Sequence, residues 1–283
     1  MKVLVAVPIF NEQKYVARVL REIRKYARAS AAGDPGLTTR VLVLDDGSTD
    51  RTAAILAPLA ARGHIDLITH PENRGYGQSL IDAFHFAAAH DYDWVITMDC
   101  DEQHEPCRIP AFIAACQKDD ADIISGSRYM VRDESGDLPP VDRRSINQVM
   151  TDMLNSVLNL EIVGRGVQSD AGEKPGLTDS FCGFKAHRVS AMQKLRLTIP
   201  GYAFPMQFWV QAAFAGLKIE ELPVRLIYKD ATRHFGGNLD DPTARLSHYL
   251  EVLTTELATA RQTKVTAGAV PDDWAECELC CEE

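Results

Sequence analysis

Three short apolar runs, each closed by polar residues or proline, constrain this chain more than any other feature. Val3-Leu4-Val5-Ala6-Val7 stops at Pro8, Val41-Leu42-Val43-Leu44 stops at Asp45-Asp46, and Val95-Ile96-Thr97-Met98 stops at Asp99-Cys100-Asp101. Runs this short and this rich in β-branched residues read as buried strands. Between them the apolar spacing turns helical, as at Val16, Leu20, Ile23 and Ala27. Strands alternating with helices imply parallel pairing and a doubly wound sheet. Ligands of such sheets bind off the carboxyl ends of the strands, which is where these acids would stand.

The chain supports this reading in order. Asn11 is expected to cap the first helix and Ser48 or Thr49 the second, which Pro58 should shorten or bend. His64 to Ile68 reads as a third strand and Asn73-Arg74-Gly75-Tyr76-Gly77 as a tight loop before a helix ending near His90. Ala121 to Ser125 is a further strand. In the second half, 129 to 144 and 164 to 178 read as loops, the latter expected to be mobile. Ile146 to Leu160 and Ala203 to Ala215 read as helices, Phe181 to Lys185 as a short strand, and Lys218 to Tyr228 as a strand interrupted by proline. A last helix is expected over 241–264 and a disordered acidic tail over 265–283.

Composition excludes several classes. With 283 residues, 46% of them hydrophobic, the chain can bury a full core. No apolar run is long enough for a membrane span and no signal peptide is evident, so a cytoplasmic protein is expected. The formal charge is −10, but the acids Asp272, Asp273, Glu276, Glu278, Glu282 and Glu283 crowd the last dozen residues. Without these six, 34 acids face 30 Lys and Arg and the charge is −4, which argues against bulk nucleic-acid binding. Cys100, Cys107, Cys116 and Cys182 read as reduced thiols, and Cys277, Cys280 and Cys281 lack the further ligands that a zinc site needs.

The chemistry is expected at Asp99 and Asp101. Residues two apart on an extended chain share a face, so the carboxylates would repel unless a cation lay between them. Hard oxygen ligands suit Mg²⁺ or Mn²⁺, and Gln103 adds a neutral oxygen at the same spacing. No G-x-G-x-x-G follows the first strand and no G-x-x-x-x-G-K-[ST] occurs, so neither a dinucleotide fingerprint nor a P-loop is present.

Six short motifs stand in order: Val7-Pro8-Ile9-Phe10-Asn11-Glu12, Asp45-Asp46-Gly47-Ser48-Thr49-Asp50, Asn73-Arg74-Gly75, Met98-Asp99-Cys100-Asp101-Glu102-Gln103-His104, Gly126-Ser127-Arg128-Tyr129 and Cys182-Gly183-Phe184-Lys185. Together they resemble family 2 glycosyltransferases of the GT-A fold, and within them the dolichol-phosphate or polyprenyl-phosphate mannosyltransferases. The resemblance covers about residues 1–240 and implies a GT-A domain there, with a Rossmann-like, mostly parallel sheet flanked by helices. It implies that Pro8, Phe10, Glu12 and Asp46 hold the nucleoside, with Arg74 and Gly75 in the adjoining loop. It implies that Asp99, Asp101 and Gln103 serve metal and diphosphate. Arg128 and Arg233 match arginines near the donor phosphates, and Arg143 or Arg144 lies where an acceptor phosphate binds.

The implied reaction is transfer of a sugar, of mannose or glucose type, from a GDP- or UDP-sugar to a polyprenyl phosphate, with inversion. Charge growing on the leaving diphosphate would be met by a metal and arginines. A phosphate nucleophile needs no general base, whereas an alcohol does. Two departures bear on the acceptor. Gln207 stands where an acid is common, and no lysine follows Arg233 and Gly236, leaving His234 as a weaker cation. In a rival reading the acceptor is a hydroxyl of a glycan or small molecule and Asp179 is its base. In another the chain only binds nucleotide-sugars, which the Asp99/Asp101 pair argues against. A polyprenyl acceptor implies a protein peripheral at the inner membrane face, with a partner supplying the membrane helix.

Overall fold

The computed structural model describes residues 1–130, 139–163, 176–228 and 235–263. Eight strands form one sheet: β1 (Lys2–Ile9), β2 (Thr38–Asp45), β3 (Asp66–Thr69), β4 (Trp94–Thr97), β5 (Ile123–Ser127), β6 (Glu161–Ile162), β7 (Lys185–Arg188) and β8 (Lys218–Pro223), in the order β3-β2-β1-β4-β7-β5-β8-β6. All pairs are parallel except those of β7, which runs antiparallel to both β4 and β5.

Two apolar layers sandwich the sheet. On one face α1 (Val16–Ala32), α2 (Thr52–Ala61) and α4 (Ile109–Lys118) cover Val3, Val5, Val7, Ile96 and Ile124. On the other, α3 (Tyr76–Ala89), α5 (Val141–Val157), α6 (Val189–Met192), α7 (Phe204–Phe214) and α8 (Pro242–Thr263) cover Leu4, Ala6, Leu42 and Val95. Alternate residues of β1 therefore serve opposite layers, as the two-residue pleat requires. Side chains such as Phe84 and Trp209 are fully buried, each contributing about 1.5–3 kcal/mol by leaving water. The α8 helix belongs to this core through Tyr249, Val252 and Leu253.

Several local expectations are corrected. The short strand expected over Phe181–Lys185 lies at Lys185–Arg188, because the carbonyls of Gly183 and Phe184 are taken by Thr97 Oγ1 and the Gly126 amide before the chain enters the sheet. The last long strand ends at Pro223 instead of resuming toward Tyr228. The helix expected from Ile146 begins at Val141, with Pro140 at its cap position, and stops at Val157. Asn11 does not cap α1. It takes a left-handed φ of 57°, and its Oδ1 accepts from the Thr49 and Asp50 amides. Ser48 Oγ accepts from the Asn11 amide instead of capping α2. Arg51 occupies the cap position of α2 without a side-chain cap, and Asp50 before it accepts from the Thr52 amide at 2.8 Å. These exchanges bind the end of β1 to the end of β2. The expected tail, 265–283, and most of the two expected loops lie outside the described residues.

Candidate active site

The carboxyl ends of β1, β2, β4 and β5 open into a cleft of about 560 Å³. Pro8, Phe10, Glu12, Asp46, Gly75, Asp99, Asp101, Gln103, Arg128 and Arg143 all line it, so ten of the residues singled out from sequence meet there. Arg74, Arg144 and Asp179 do not line it, the two arginines being exposed and Asp179 buried, and Arg233 lies outside the described residues.

Asp46 is a clamp at the end of β2. Its Oδ1 accepts from the Arg74 amide at 2.8 Å and meets His70 Nδ1 at 2.6 Å, while Oδ2 accepts from the Gly75 amide at 2.8 Å. Burial works to raise its pKa, but the hydrogen bonds from His70, Arg74 and Gly75 bring it below the ordinary value. Gly75 sits at φ 100°, and a β-carbon there would fall 2.4 Å from the Pro200 carbonyl oxygen, so only glycine fits this turn. His70, at the end of β3, also has its Nε2 2.9 Å from Asp82 Oδ2 on α3. Hydrogen bonds to Asp46 and Asp82 outweigh burial and lift its pKa to about 9. A cationic imidazole thus lies between two buried acids beneath the loop. Arg74 is half exposed, with Nη1 3.8 Å from Asp82.

The central acids are presented differently from the expectation. β4 ends at Thr97, and Asp99 to His104 form a bent segment with a left-handed φ of 63° at Glu102, so strand alternation is not what brings the acids together. Arg18 on α1 forms an ion pair with Glu102 and holds this bend. Asp101 Oδ1 accepts from the Gln103 amide at 3.0 Å. The Asp99 amide donates to His104 Nδ1 at 3.1 Å, which turns Nε2 toward Asp99 Oδ2 at 3.7 Å. Burial, reinforced by the charge of Asp101, raises the Asp99 pKa. Asp99 Oδ1 is buried without a hydrogen-bond partner among the described residues. Gly183 makes this packing possible, since a β-carbon there would lie 2.6 Å from Asp99 Oδ2 and 2.9 Å from the Tyr76 hydroxyl.

An orphaned carboxylate oxygen beside a second acid fits a hard divalent cation. Among the described residues no cluster of three His, Cys, Asp or Glu side chains forms a closed cage. Mg²⁺ commonly binds through one or two carboxylates and completes its shell with substrate phosphates and water, so this open donor set suits it.

Arg128 and Asp179 form a buried pair. Arg128 Nε lies 2.6 Å and Nη2 2.8 Å from the Asp179 oxygens, and the Arg128 amide and Asn147 Nδ2 donate to the same carboxylate. Burial opposes ionisation of Asp179, yet Arg128 and Asn147 hold its pKa down to about 2. A carboxylate so fully engaged is poorly suited to accept a proton from an alcohol. Gln207 also lies away from the chemistry. It is buried in α7, accepts from the Thr198 and Ile199 amides at 2.7 and 3.0 Å, and donates to Glu256 at 2.6 Å.

Arginines and aromatic rings line the remaining wall. Arg143 lies over the Phe235 and Tyr228 rings at 4.6 and 5.6 Å, and Arg144 over Tyr129 at 4.7 Å. Arg245 on α8 packs on Phe235, donates to the Leu239 carbonyl at 2.7 Å and pairs with Asp142. Tyr202 stacks on Tyr76 and meets Phe235 edge-on. His70, Asp82, Tyr76, Tyr202 and Arg245 were not anticipated. Tyr76 carried a signal by its place in the loop before α3 and Tyr202 by the glycine–aromatic pair Gly201-Tyr202, whereas His70, Asp82 and Arg245 carried none.

A mostly parallel sheet with a cleft at the carboxyl ends of β1 and β2 and an acid pair after β4 define a GT-A glycosyltransferase that uses nucleotide-sugar donors. The family model described as glycosyl transferase family 2 matches residues 4–195, and the chain belongs to that family. The chain is 25% identical over 234 residues to an undecaprenyl-phosphate mannosyltransferase of Micrococcus luteus, covering 81% of this chain and 85% of that one. It is 26% identical over 223 residues to a dolichol-phosphate mannosyltransferase of Pyrococcus furiosus, covering 79% and 56%. Glucosyl-3-phosphoglycerate synthase from Mycobacterium tuberculosis, solved with Mn²⁺, UDP and glucosyl-3-phosphoglycerate, shares the fold with a TM-score of 0.59 at 17% identity, over 91% of this chain and 80% of that one.

Proposed function

We propose that the protein transfers a hexose from a nucleoside diphosphate to the phosphate of a polyprenyl phosphate, with inversion at the sugar C1. A phosphate oxygen of the acceptor forms the new bond to C1 as the bond from C1 to the donor diphosphate breaks, and the electron pair leaves with that diphosphate. Asp46 and its loop, with Pro8, Phe10 and Glu12, hold the nucleoside. Asp99 and Asp101, with Gln103 beside them, would hold Mg²⁺ or Mn²⁺, which supplies positive charge to the departing β-phosphate. Arg128 keeps part of its charge facing the cleft although Asp179 neutralises much of it.

The observation that carries the acceptor assignment is the Arg128–Asp179 pair. It removes the one carboxylate that the hydroxyl reading chose as base, and an anionic phosphate nucleophile needs none. Arg143 and Arg144, spread on Phe235 and Tyr129, supply cations of the type that bind a phosphate monoester. The names of the mannosyltransferase relatives support the same assignment. The test compares Arg144→Ala and Arg143→Ala with the parent, using a short-chain polyprenyl phosphate and a panel of GDP- and UDP-sugars. At least one variant should raise the acceptor KM about tenfold or more while the donor KM stays within about twofold, the loss of a charge-assisted contact. Equal effects on both substrates would reject the assignment of these arginines.

A further inference from the structure

The solvent face of α1 is charged oppositely to the molecule as a whole. Arg18, Arg21, Arg24, Lys25 and Arg28 fall within one stripe about 120° wide at the helical advance per residue. Arg62 and His64, just after α2, extend it. Glu22 is the sole acid among residues 16–32, and it reaches Lys25 at 3.4 Å, while Arg18 engages Glu102. Arg21, Arg24, Arg28 and Arg62 form no ion pair with a described residue, in a chain whose formal charge is −10. The crowding is physical: burial and then the charges of Arg24, Arg28 and Arg62 lower the pKa of His64. Arg24 Nε and His64 Nδ1 are both shut off from solvent without a hydrogen-bond partner among the described residues.

Unpaired like charges on one helix face repel one another unless a polyanion covers them. The stripe starts at Arg18, whose partner Glu102 lies in the loop of Asp101, so this face leads up to the rim of the cleft. Among the described residues no helix is long and apolar enough to cross a membrane. We infer that the α1 face is a docking surface for the anionic headgroups of a lipid bilayer. The inference rests on the reading above that the acceptor phosphate is anchored in a membrane. A bilayer fits this face better than single-stranded nucleic acid, which also needs exposed rings for base stacking. Tyr26, the aromatic ring of α1, lies outside the stripe and is half-buried under Lys25.

The experiment is co-sedimentation of the full chain with vesicles of neutral phosphatidylcholine, or with about a third of the lipid replaced by phosphatidylglycerol. Binding is expected on the anionic vesicles alone, with release at about 1 M salt, where screening collapses the attraction. R21Q/R28Q/R62Q should weaken it about a hundredfold, near fivefold for each charge lost. The corresponding triple Arg→Lys variant should retain it. Matching thermal melts establish that the triple variant is folded, and R21Q alone, weakening binding about fivefold, serves if it is not. Equal binding to neutral vesicles, undiminished binding by the glutamine variants, or preference for an RNA homopolymer over anionic vesicles would each overturn the inference. Transfer to a detergent-dispersed short-chain polyprenyl phosphate should be unchanged in the triple variant. If no such transfer occurs in the parent yet vesicle binding stays salt-labile and arginine-dependent, the acceptor reading fails and the docking surface stands.

Discussion

Asp46 is a buried acid at the end of β2 and Asp99 a half-buried one in the bend after β4, and their surroundings give them opposite tasks. Asp46 has its oxygens filled by two amides and an imidazole, so it stays ionised and fixes a loop. Asp99 keeps one oxygen unpartnered beside Asp101, so it wants a cation. Asp101→Ala is accordingly expected to lower kcat by about 10²–10³ while leaving the melting temperature nearly unchanged. Steady-state transfer assays with and without EDTA check this, and full activity in EDTA would contradict the metal assignment. His70 gives a pH signature. Its folded pKa of about 9 lies above the ordinary 6.5, so its stabilisation is complete below about pH 6.5 and is lost as pH rises through 9. Donor affinity and melting temperature should therefore fall between pH 7 and pH 10. In His70→Asn that slope should flatten. His70→Ala removes the cation between Asp46 and Asp82, leaving them their amide and Gln78 hydrogen bonds and the distant Arg74, and should cost about 3–5 kcal/mol, measured by urea unfolding near pH 7.

Elements meet at the site through single polar side chains. Asp179 joins the segment before β7 to Arg128 at the end of β5 and to Asn147 on α5, while Glu221 on β8 accepts from the Thr178 and Asp179 amides. A general base and a structural clamp at Asp179 predict different losses. Asp179→Asn should destabilise the fold by about 3–5 kcal/mol, because it leaves the buried Arg128 charge uncompensated. Paired thermal melts and kinetics decide it. An unchanged melt with activity abolished would restore the base role. Gly183 is the matching steric device. Gly183→Ala pushes a methyl into Asp99 and the Tyr76 hydroxyl, so apparent Mn²⁺ affinity should weaken about tenfold or more, the scale on which groups that orient metal ligands act. Titration of activity with Mn²⁺ measures it, and an unchanged midpoint would show that Asp99 has room to move.

At the scale of the molecule, the half of the fold built from local rules was legible. The apolar runs of β1, β2 and β4 and the helical spacing of α1 locate the sheet and its ligand end, and ten residues singled out from strand ends or from the family resemblance line one cleft, Arg143 from α5 among them. What escaped depends on long-range register. The insertion of β7 antiparallel between β4 and β5 pairs residues about 60 to 90 apart in the chain, and four residues of mixed character advertise no partner. Arg128 and Asp179 each carried a plausible separate role, and only their contact across the fold reveals that they neutralise one another. Gln207 occupied a suggestive position in the chain but faces a buried turn. The central claim is that the acceptor nucleophile is a phosphate, and its most direct test is a competition assay. A short-chain polyprenyl phosphate, the matching free alcohol and 3-phosphoglycerate are offered with the preferred nucleotide-sugar and Mn²⁺, and the products are resolved by mass. The account predicts a glycosyl phosphate on the polyprenyl chain, dependent on metal, with no product from the alcohol. Glycosylation of a hydroxyl, with the polyprenyl phosphate left untouched, would contradict it.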